Sequence, residues 1–238
     1  MATFNGAEFV EEQLRSILAS PRVDEVVVSD DGSTDATLAR IAALGDARVR
    51  VVAGPCAGPI RNFENALRQV RGDIVFLSDQ DDVWLPQKVD AMVQALEHAD
   101  MVVSDCSVVD AGLRIIEPSF FRHHRSAAGF ARNMLRNSYL GCCMAFHRRV
   151  LDLALPFPAR LPMHDWWLGI VAQCSGHVVF LDTPLSLYRR HGANASSASE
   201  PSRASFVTQL RERLWLVRAL ASRHLLFGAN RSRAVPKA

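Results

Sequence analysis

Residues 73–84 read DIVFLSDQDDVW, an apolar run that leads directly into three carboxylates within four positions, Asp79, Asp81 and Asp82. Like charges this close repel one another, and Asp extends neither a helix nor a strand well. Acidic side chains do favour helix N-termini, so the helix predicted to begin near Pro86 explains one acid or two as caps. A hard divalent cation such as Mg²⁺ or Mn²⁺ accounts for all three. We therefore interpret this cluster as a metal-binding element.

Around this stretch, the first 105 residues alternate between short β-branched runs and amphipathic segments of helical period. The predicted strands are DEVVVSD (24–30), RVRVVAG (48–54), DIVFLSD (73–79) and DMVVSD (100–105). The predicted helices are EFVEEQLRSILAS (8–20), STDATLARIAAL (33–44), GPIRNFENALRQVRG (58–72) and LPQKVDAMVQALEHA (85–99). Short strands separated by helices indicate an α/β fold with a mostly parallel sheet and helices on both faces.

The predicted strands of this region end in acidic residues. Asp30 and Asp31 follow one strand, Asp79–Asp82 follow another, and Asp105 follows a third. Ligands of open parallel sheets bind outside the carboxyl ends of the strands, so we expect these carboxylates to meet at one edge and form the site. A carboxylate in that position can accept hydrogen bonds from a nucleobase N–H or a ribose hydroxyl.

The composition narrows the class of protein. With 49% hydrophobic and 22% charged residues, the 238-residue chain resembles a soluble globular protein. The N-terminus MATFNGAEFVEEQ has neither the basic start nor the apolar stretch of a signal peptide. Five irregularly spaced cysteines without a C-x-x-C motif favour reduced thiols in a cytoplasmic protein. Cys142 and Cys143 could bind zinc with His147, but burial of small residues is the simpler explanation.

The C-terminal part of the chain is basic. Residues 205–238 carry seven basic residues and one acid, a net charge of +6, against −4 for residues 1–204. The apolar residues of this segment recur at helical spacing: Val207, Leu210, Leu214, Val217 and Ala221. We therefore predict a basic amphipathic helix. Its charge suggests an anionic surface as a partner, but from charge alone a solvated helix face is the better explanation.

An ordered set of motifs resembles the family-2 inverting glycosyltransferases, and most of all their bacterial rhamnosyltransferase-like branch of surface-polysaccharide synthesis. The motifs are ATFNG (2–6), EEQLRSI (11–17), VSDDGSTD (28–35), GPIRNFENAL (58–67), FLSDQDDVW (76–84), HDWW (164–167) and YRRHGAN (188–194). The resemblance extends from Met1 to about Asn194. DDGSTD or the acidic cluster alone would be a weak signal, whereas the set in this order is specific.

This resemblance implies a GT-A fold, in which a nucleotide-binding α/β half joins an acceptor-binding half. We accordingly divide the catalytic domain, 1–204, into a nucleotide-binding half (1–105), an acceptor half (106–194) and a linker (195–204). The basic helix and tail follow at 205–238. The implied ligands are a nucleoside-diphosphate sugar, a divalent Mn²⁺ or Mg²⁺ ion on its diphosphate, and a glycan or lipid-linked acceptor. We expect no nucleic-acid partner, and a cytoplasmic enzyme whose basic helix can lie on the inner membrane face.

The resemblance also assigns site residues. The residues implied to bind the nucleotide sugar are Thr3, Asn5, Asp30, Asp31, Arg61, Asn65 and Asp79. Asp81 and His191 would be metal ligands, and an imidazole ligand favours Mn²⁺ over Mg²⁺. Asp165 would be the base that deprotonates the acceptor hydroxyl, a role that suits a carboxylate beside aromatic residues. From the residues alone, Asp165 is also explained as a helix cap and His191 as a surface or core histidine.

Two alternatives stay open at this point. Acidic residues after strands also occur in phosphate-receiver signalling domains, although such a domain would have about half this length and a lysine after a late strand. The second alternative is an N-terminally truncated transferase of weak or no activity. Residues 1–6, MATFNG, are too short to cross a sheet. We therefore expect the first strand to be missing and the natural protein to begin upstream, because an empty central slot leaves backbone groups unpaired.

Overall fold

A computed structural model of the protein describes residues 1–192 and 205–231, so the predicted linker at 195–204 and the end of the tail lie outside the described residues. The described residues form two β-sheets with helices between their strands, which confirms the α/β class. The helices are α1 (Val10–Leu18), α2 (Thr37–Ala43), α3 (Pro59–Gln69), α4 (Lys88–Leu96), α5 (Phe120–His124), α6 (Phe130–Leu135), α7 (Arg148–Ala154), α8 (His164–Ser175) and α9 (Phe206–Arg231).

The first sheet is parallel and contains three strands. Its order is β1 (Ala2–Thr3), β2 (Val26–Asp30) and β3 (Val49–Ala53). Every residue of β2 is buried, as its continuous β-branched sequence predicts for a strand covered on both faces. Helices α1 and α2 make the crossovers that parallel neighbours require.

The second sheet is mixed, which corrects the prediction of a mostly parallel arrangement. Its strands run in the order β4 (Ile74–Phe76), β8 (Met144–His147), β6 (Met101–Val109), β9 (Val178–Arg189) and β5 (Val83–Trp84), with β7 (Ile115–Glu117) beside β6. Only β6 and β9 pair in parallel; the other described pairs of this sheet are antiparallel. Strand β8 comes from the predicted acceptor half and separates β4 from β6. The alternating pattern of residues 1–105 could not reveal such an insertion.

The short N-terminal segment occupies part of the slot beside β2. The Met1 amino group donates to Val27 O at 2.8 Å, Ser29 N donates to Met1 O at 3.0 Å, and Asp31 N donates to Thr3 O at 2.9 Å. Beyond Met1, a cavity of about 480 Å³ lies between β2 and β4. Among the described residues, no strand pairing joins β2 to β4.

The main hydrophobic core packs the second sheet against α7 and α8. Nine of the twelve residues of α8 are buried, and Trp167 is fully enclosed with its indole N–H donating to Ala154 O at 3.0 Å. Trp166 donates in the same way to Asn133 O at 2.8 Å. Both tryptophans are therefore structural, and their packing fixes the start of α8 on a rigid base.

Helix α9 packs on this core by one face and leaves an apolar stripe exposed on another. Leu216 and Leu220 are buried, and the Arg213 guanidinium donates to Met134 O at 3.0 Å. The apolar stripe predicted from the sequence faces solvent. Its exposed residues are Val207 (72% exposed), Leu214 (49%), Val217 (49%) and Leu210 (48%). None of the described helices is both long and apolar enough to cross a membrane.

The five cysteines are all free thiols, as the sequence predicts for a protein without disulfides. Cys142 and Cys143 are buried in the core. His147, the residue considered with them for a zinc site, places its Nε2 3.0 Å from Leu96 O. The pair is therefore explained by core packing.

Candidate active site

A cleft of about 700 Å³ opens at the carboxyl ends of β2 and β4, the edge at which the sequence predicts the site. One side of the cleft, formed by residues of the predicted nucleotide-binding half, includes Thr3, Phe4, Asp31, Gly32, Cys56, Gly58, Pro59, Asn62 and Phe63. The floor and the opposite side include Asp79, Gln80, Asp81, Leu140, Gly141, Met163, His164, Asp165 and Tyr188. The cleft therefore lies between the two predicted halves of the catalytic domain.

The two acids at the end of β2 have different surroundings. The buried Asp30 carboxylate accepts hydrogen bonds from Thr3 Oγ1 at 2.8 Å, Ser33 N at 2.9 Å and Ser33 Oγ at 2.6 Å. Asp31 lines the cleft and accepts from Gly58 N, at the start of α3, at 2.8 Å. Asp30 consequently fixes the turn after β2, whereas Asp31 presents a carboxylate at the wall of the cleft.

The two site residues predicted in the N-terminal segment, Thr3 and Asn5, also differ in their position relative to the cleft. Thr3 is buried and lies in the wall of the cleft. Asn5 is exposed, with a φ of 47°, a left-handed conformation that Asn tolerates better than most residues. Its Oδ1 accepts from Thr34 N at 2.8 Å. Asn5 thus orders the loop beside the cleft and does not lie in its wall.

The structure does not bring Arg61 or Asn65 into the cleft. The Arg61 guanidinium pairs with Glu64 and donates to Pro158 O at 2.8 Å. Asn65 Nδ2 donates to Ser29 Oγ at 2.8 Å, on the side of α3 that faces the first sheet. Both side chains hold elements of the fold together, so the geometry gives no support to their predicted contact with the donor.

Asn62, which the sequence analysis did not select, occupies the position in α3 that faces the cleft. Its Nδ2 donates to Thr3 O at 3.1 Å, and its Oδ1 is buried without a partner among the described residues. The motif GPIRNFENAL places Asn62 and Asn65 on neighbouring turns of one helix. The motif could not show which of the two turns inward, because that depends on how α3 rotates against β1 and β2.

The acidic loop after β4 is held from two sides. Arg189, at the end of β9, donates through its main-chain N to Asp82 Oδ1 at 3.0 Å and through Nε to Asp81 O at 2.7 Å. On the other side, Gln80 accepts from Phe4 N at 2.9 Å and donates to Phe4 O at 3.0 Å. These contacts hold three carboxylates in place despite their mutual repulsion.

The electrostatics of this loop favour a proton or a cation. Burial raises the pKa of Asp79 to about 7, and the negative charges of Asp81 and Asp165 contribute to the increase. The pKa of Asp82 is also raised well above its usual range. Burial is the largest cause, and repulsion from the charges of Asp81 and Asp79 adds to it. Asp82 Oδ2 is buried without a hydrogen-bond partner among the described residues. A bound cation would offset these costs.

Two groups of side chains could contribute ligands to a cation. Asp81 Oδ2 lies 2.9 Å from His191 Nε2, and Asp81 lines the cleft. Ligand atoms of Asp79, Asp82 and Cys142 lie within 4.8 Å of one another. Hydrogen bonding with Cys143 and burial raise the pKa of the Cys142 thiol, and a protonated thiol is a poor metal ligand. The donor set Asp81 and His191, with Asp79 nearby, therefore fits Mn²⁺ or Mg²⁺ best.

Asp165 lies at the start of α8 with its carboxylate in the wall of the cleft. Its Oδ2 accepts from Gly141 N at 3.2 Å and its Oδ1 accepts from Trp166 N. Burial raises the pKa of Asp165 to about 7. The N-cap position belongs to Met163, which makes no side-chain cap. A simple helix cap therefore does not explain Asp165, and its pKa matches that of a general base near neutral pH.

His164 is a second polar residue at the start of α8 that the sequence analysis did not assign. Its imidazole is stacked on Phe63, with ring centroids 4.0 Å apart and planes inclined by 18°. Burial lowers the pKa of His164 to about 3, so the ring is neutral. Neither ring nitrogen has a hydrogen-bond partner among the described residues. The motif HDWW contained this residue, but nothing in the motif indicates an unsatisfied imidazole.

Comparison with known proteins gives several relatives of low sequence identity. The chain is 26% identical over 219 residues to the uncharacterized glycosyltransferase alr2836 of Nostoc sp., which covers 84% of this chain and 68% of the relative. It is 26% identical over 241 residues to the dTDP-rhamnosyl transferase RfbG of Shigella flexneri, covering 92% of this chain and 79% of the relative.

Solved structures share the fold. TarS 1–349 of S. aureus in complex with UDP-GlcNAc superimposes with a TM-score of 0.67 at 20% identity, covering 91% of this chain. The chain spans only 64% of that TarS chain. The mannosyltransferase PcManGT of Pyrobaculum calidifontis, in complex with GDP-Man and Mn²⁺, gives a TM-score of 0.58 at 18% identity, with 99% and 79% of the two chains covered. These likenesses establish a GT-A fold.

The sequence model of one family matches residues 1–153, well over half of the chain. This segment contains β1 to β8, the acidic loop and the side of the cleft that includes Thr3 and Asp31. The chain belongs to glycosyl transferase family 2.

Proposed function

We propose that this chain transfers a sugar from a nucleoside-diphosphate donor to a hydroxyl of a glycan or lipid-linked acceptor, with inversion at the anomeric carbon. The observation that carries the proposal is the convergence of Asp31, Asp79, Asp81 and Asp165 on one cleft. A metal-bound diphosphate and a proton-transfer step give these carboxylates complementary roles. The phosphate-receiver alternative has no comparable use for Asp165, and family membership argues against it.

The donor side of the proposal uses the first sheet. Asp31 and Thr3 lie in the cleft wall beside the N-terminus of α3, so they are suited to a nucleoside and its ribose hydroxyls. Asp30 would act by holding this turn in place. The name of RfbG specifies dTDP-rhamnose chemistry, and the TarS complex contains UDP-GlcNAc. We propose dTDP-rhamnose as the first donor to test and UDP-sugars as the second.

The metal side of the proposal uses the acidic loop and the end of β9. Asp81 and His191 would hold Mn²⁺ or Mg²⁺, and Asp79 would lie close to the ion or the ribose. When bound, the ion would neutralise the charge that develops on the departing nucleoside diphosphate. Arg189 positions this loop through its bond to Asp81 O and is not proposed as a ligand.

Asp165 is proposed as the catalytic base. The acceptor hydroxyl oxygen would form a bond to the anomeric carbon while the bond from that carbon to the diphosphate oxygen breaks on the opposite face. The hydroxyl proton would pass to the Asp165 carboxylate. The hydrogen bonds from Gly141 N and Trp166 N fix the orientation of this carboxylate, and the buried tryptophans make its mount rigid.

The acceptor is proposed from relatives and from the position of the cleft. WfgD of Escherichia coli, 21% identical, is named as a glucosyltransferase acting on α-D-GlcNAc-diphosphoundecaprenol, and ExoO of Rhizobium meliloti is named as a succinoglycan biosynthesis protein. We therefore propose a role in bacterial polysaccharide synthesis. Residues 106–194 would form the acceptor half, because they supply Gly141, Met163 and Asp165 on the side of the cleft opposite the nucleotide.

Calorimetric titration with dTDP and UDP, with and without Mn²⁺, tests the proposal. We expect metal-dependent binding by the wild-type protein and loss of at least tenfold in affinity for Asp81→Ala, because the variant removes a charged ligand. Arg61→Ala serves as the matched control, since Arg61 lies outside the cleft and should leave nucleotide affinity unchanged. A folded protein that binds neither nucleotide would contradict the proposal and favour the weakly active alternative.

A further inference from the structure

The cleft contains a buried side chain that the proposed chemistry does not use. His164 has an exposed fraction of 5%, and both of its ring nitrogens lack a hydrogen-bond partner among the described residues. Buried polar atoms without partners are rare in folded proteins, because each has given up its hydrogen bonds to water. A histidine that only filled space here would be replaced at lower cost by phenylalanine. We therefore expect the imidazole to bind a ligand that supplies the missing hydrogen bonds.

The surroundings of His164 fix its ring and leave one edge near the cleft. Stacking on Phe63 sets the plane of the ring. A Cβ atom at position 141 would lie only 3.3 Å from His164 Nε2, so any side chain larger than that of glycine would crowd this edge of the ring. The N–H of Gly141 binds Asp165 at 3.2 Å. His164, Asp165 and Gly141 thus all line the same cleft, and Gly141 bonds to Asp165.

The chemistry of a neutral imidazole suits a sugar hydroxyl. One nitrogen donates and the other accepts, and a hydroxyl can do both. Rotation of the ring by about 180° about the Cβ–Cγ bond keeps it stacked on Phe63 and exchanges the positions of nitrogen and carbon. Either nitrogen can therefore be turned toward a ligand without loss of the aromatic contact.

We propose that His164 recognises a hydroxyl of the transferred sugar at the end of the cleft beside Asp165. This inference rests on the proposed function, because the diphosphate held near Asp79 and Asp81 would direct the sugar toward that wall. His164 would act as a specificity-determining residue. It would favour donors that carry a hydroxyl at this position, since a site built for a hydrogen bond rejects analogues that lack it.

The test compares a nucleotide sugar with its own nucleoside diphosphate in the presence of Mn²⁺ and without acceptor. The probes are dTDP-rhamnose with dTDP, UDP-glucose with UDP, and UDP-GlcNAc with UDP. The variants are His164→Phe, which keeps a planar ring, and His164→Gln, which keeps a donor and an acceptor. Leu161→Met is the matched control, because Leu161 lies three residues before His164, is half-buried, and is not among the residues that line the cleft.

We expect His164→Phe to bind the nucleoside diphosphate within twofold of wild type and to lose at least tenfold in affinity for the sugar donor that wild type prefers. His164→Gln should recover part of that loss, and Leu161→Met should behave as wild type. The thermal midpoint of ligand-free His164→Phe should not fall, because no hydrogen bond is removed.

Three results would overturn the inference about His164: equal loss for diphosphate and sugar donor, no loss at all, or a wild-type protein that binds no sugar donor better than its diphosphate. A wild-type protein that binds no nucleoside diphosphate would instead refute the proposed function. Loss of acceptor affinity alone, with donor binding intact, would assign His164 to the acceptor and also reject the inference.

Discussion

The carboxyl of Asp165 shows how the surroundings of one residue set its chemistry. An exposed Asp is ionised at neutral pH and is a weak base. At the start of α8, burial raises the pKa of this carboxyl to about 7, while Gly141 N and Trp166 N keep it oriented. A base with a pKa near the working pH combines a useful ionised fraction with a useful proton affinity.

The pH dependence of transfer follows from this pKa. Because a raised pKa keeps Asp165 protonated below about 7, we expect the turnover rate at saturating donor to rise with pH between about 6 and 8. Asp165→Asn should lower the rate by about 10²–10⁴-fold. The measurement is release of nucleoside diphosphate at fixed Mn²⁺, after acceptor screening.

The same variant should leave donor binding intact, since Asp165 does not hold the diphosphate in the proposed mechanism. A wild-type profile that stays flat from pH 6 to 8, or an Asp165→Asn protein with full activity, would show that another group accepts the proton.

The sequence motifs predicted some of the residues that line the cleft. They could not predict the residues whose place in the cleft depends on the direction of the side chain. Asp31, Asp79, Asp81 and Asp165 line the cleft as the strand-end argument and the resemblance lead one to expect. Asn62 replaces Asn65 at the wall because α3 rotates about its own axis to pack on the first sheet, a choice made by tertiary contacts. Missing hydrogen bonds, such as those of His164, become visible only in three dimensions.

At the scale of elements, the sequence predicts local structure better than it predicts long-range strand pairing. The helices and parallel strands of residues 1–105 follow from hydrophobic period, which is a local property. The antiparallel position of β8 between β4 and β6 depends on residues about 40 to 70 positions apart in the chain. No periodicity encodes such a pairing. The sequence therefore predicts the first sheet well and the second sheet poorly.

The packing of the strands leaves a cavity between β2 and β4. Val26, Val27, Ile74 and Phe76 line it, and the Met1 amino group lies at one end. Burial lowers the pKa of this amino group to about 5 from 8.0. The unfolded chain therefore binds more protons than the folded chain between these pH values, and this group makes stability fall as pH drops from about 8 to 5.

An apolar N-terminal extension should stabilise the fold. Five alternating β-branched residues placed before Met1 would fill the cavity, pair with β2, and convert the buried amine into a peptide bond. We expect a free energy of unfolding higher by about 2–5 kcal/mol, with a larger gain at pH 6 than at pH 8.5. Urea titrations at the two pH values measure both effects.

A Gly/Ser extension of equal length is the control for the extension experiment, because it removes the buried amino group without supplying apolar side chains. Equal stability of the two extended proteins would mean that the cavity does not accept a strand. A gain that is independent of pH would reject the contribution of the buried amino group.

At the scale of the whole molecule, α9 packs on the rest of the fold by one face and exposes another face to solvent. One face is fixed by Leu216, Leu220 and the bond from Arg213 to Met134 O. The other face presents the stripe of Val207, Leu210, Leu214 and Val217, with exposed Arg211 and Arg218 beside it. Apolar side chains flanked by arginines on a segment of net charge +6 match the chemistry of an anionic lipid surface.

Vesicle sedimentation tests this match between α9 and anionic lipid. We expect binding to vesicles of phosphatidylcholine with a quarter phosphatidylglycerol, weaker binding in high salt, and little binding to pure phosphatidylcholine. Leu210→Ser combined with Leu214→Ser should weaken binding at least tenfold, because each buried leucine contributes about 1.5–3 kcal/mol.

Leu38→Ser is the matched control, since Leu38 is 42% exposed on α2. Deleting the helix would be a poorer test, because α9 also covers part of the core. Salt-independent binding, or a stripe found at the interface of a dimer in analytical ultracentrifugation, would replace the lipid surface by a second copy as the partner of α9.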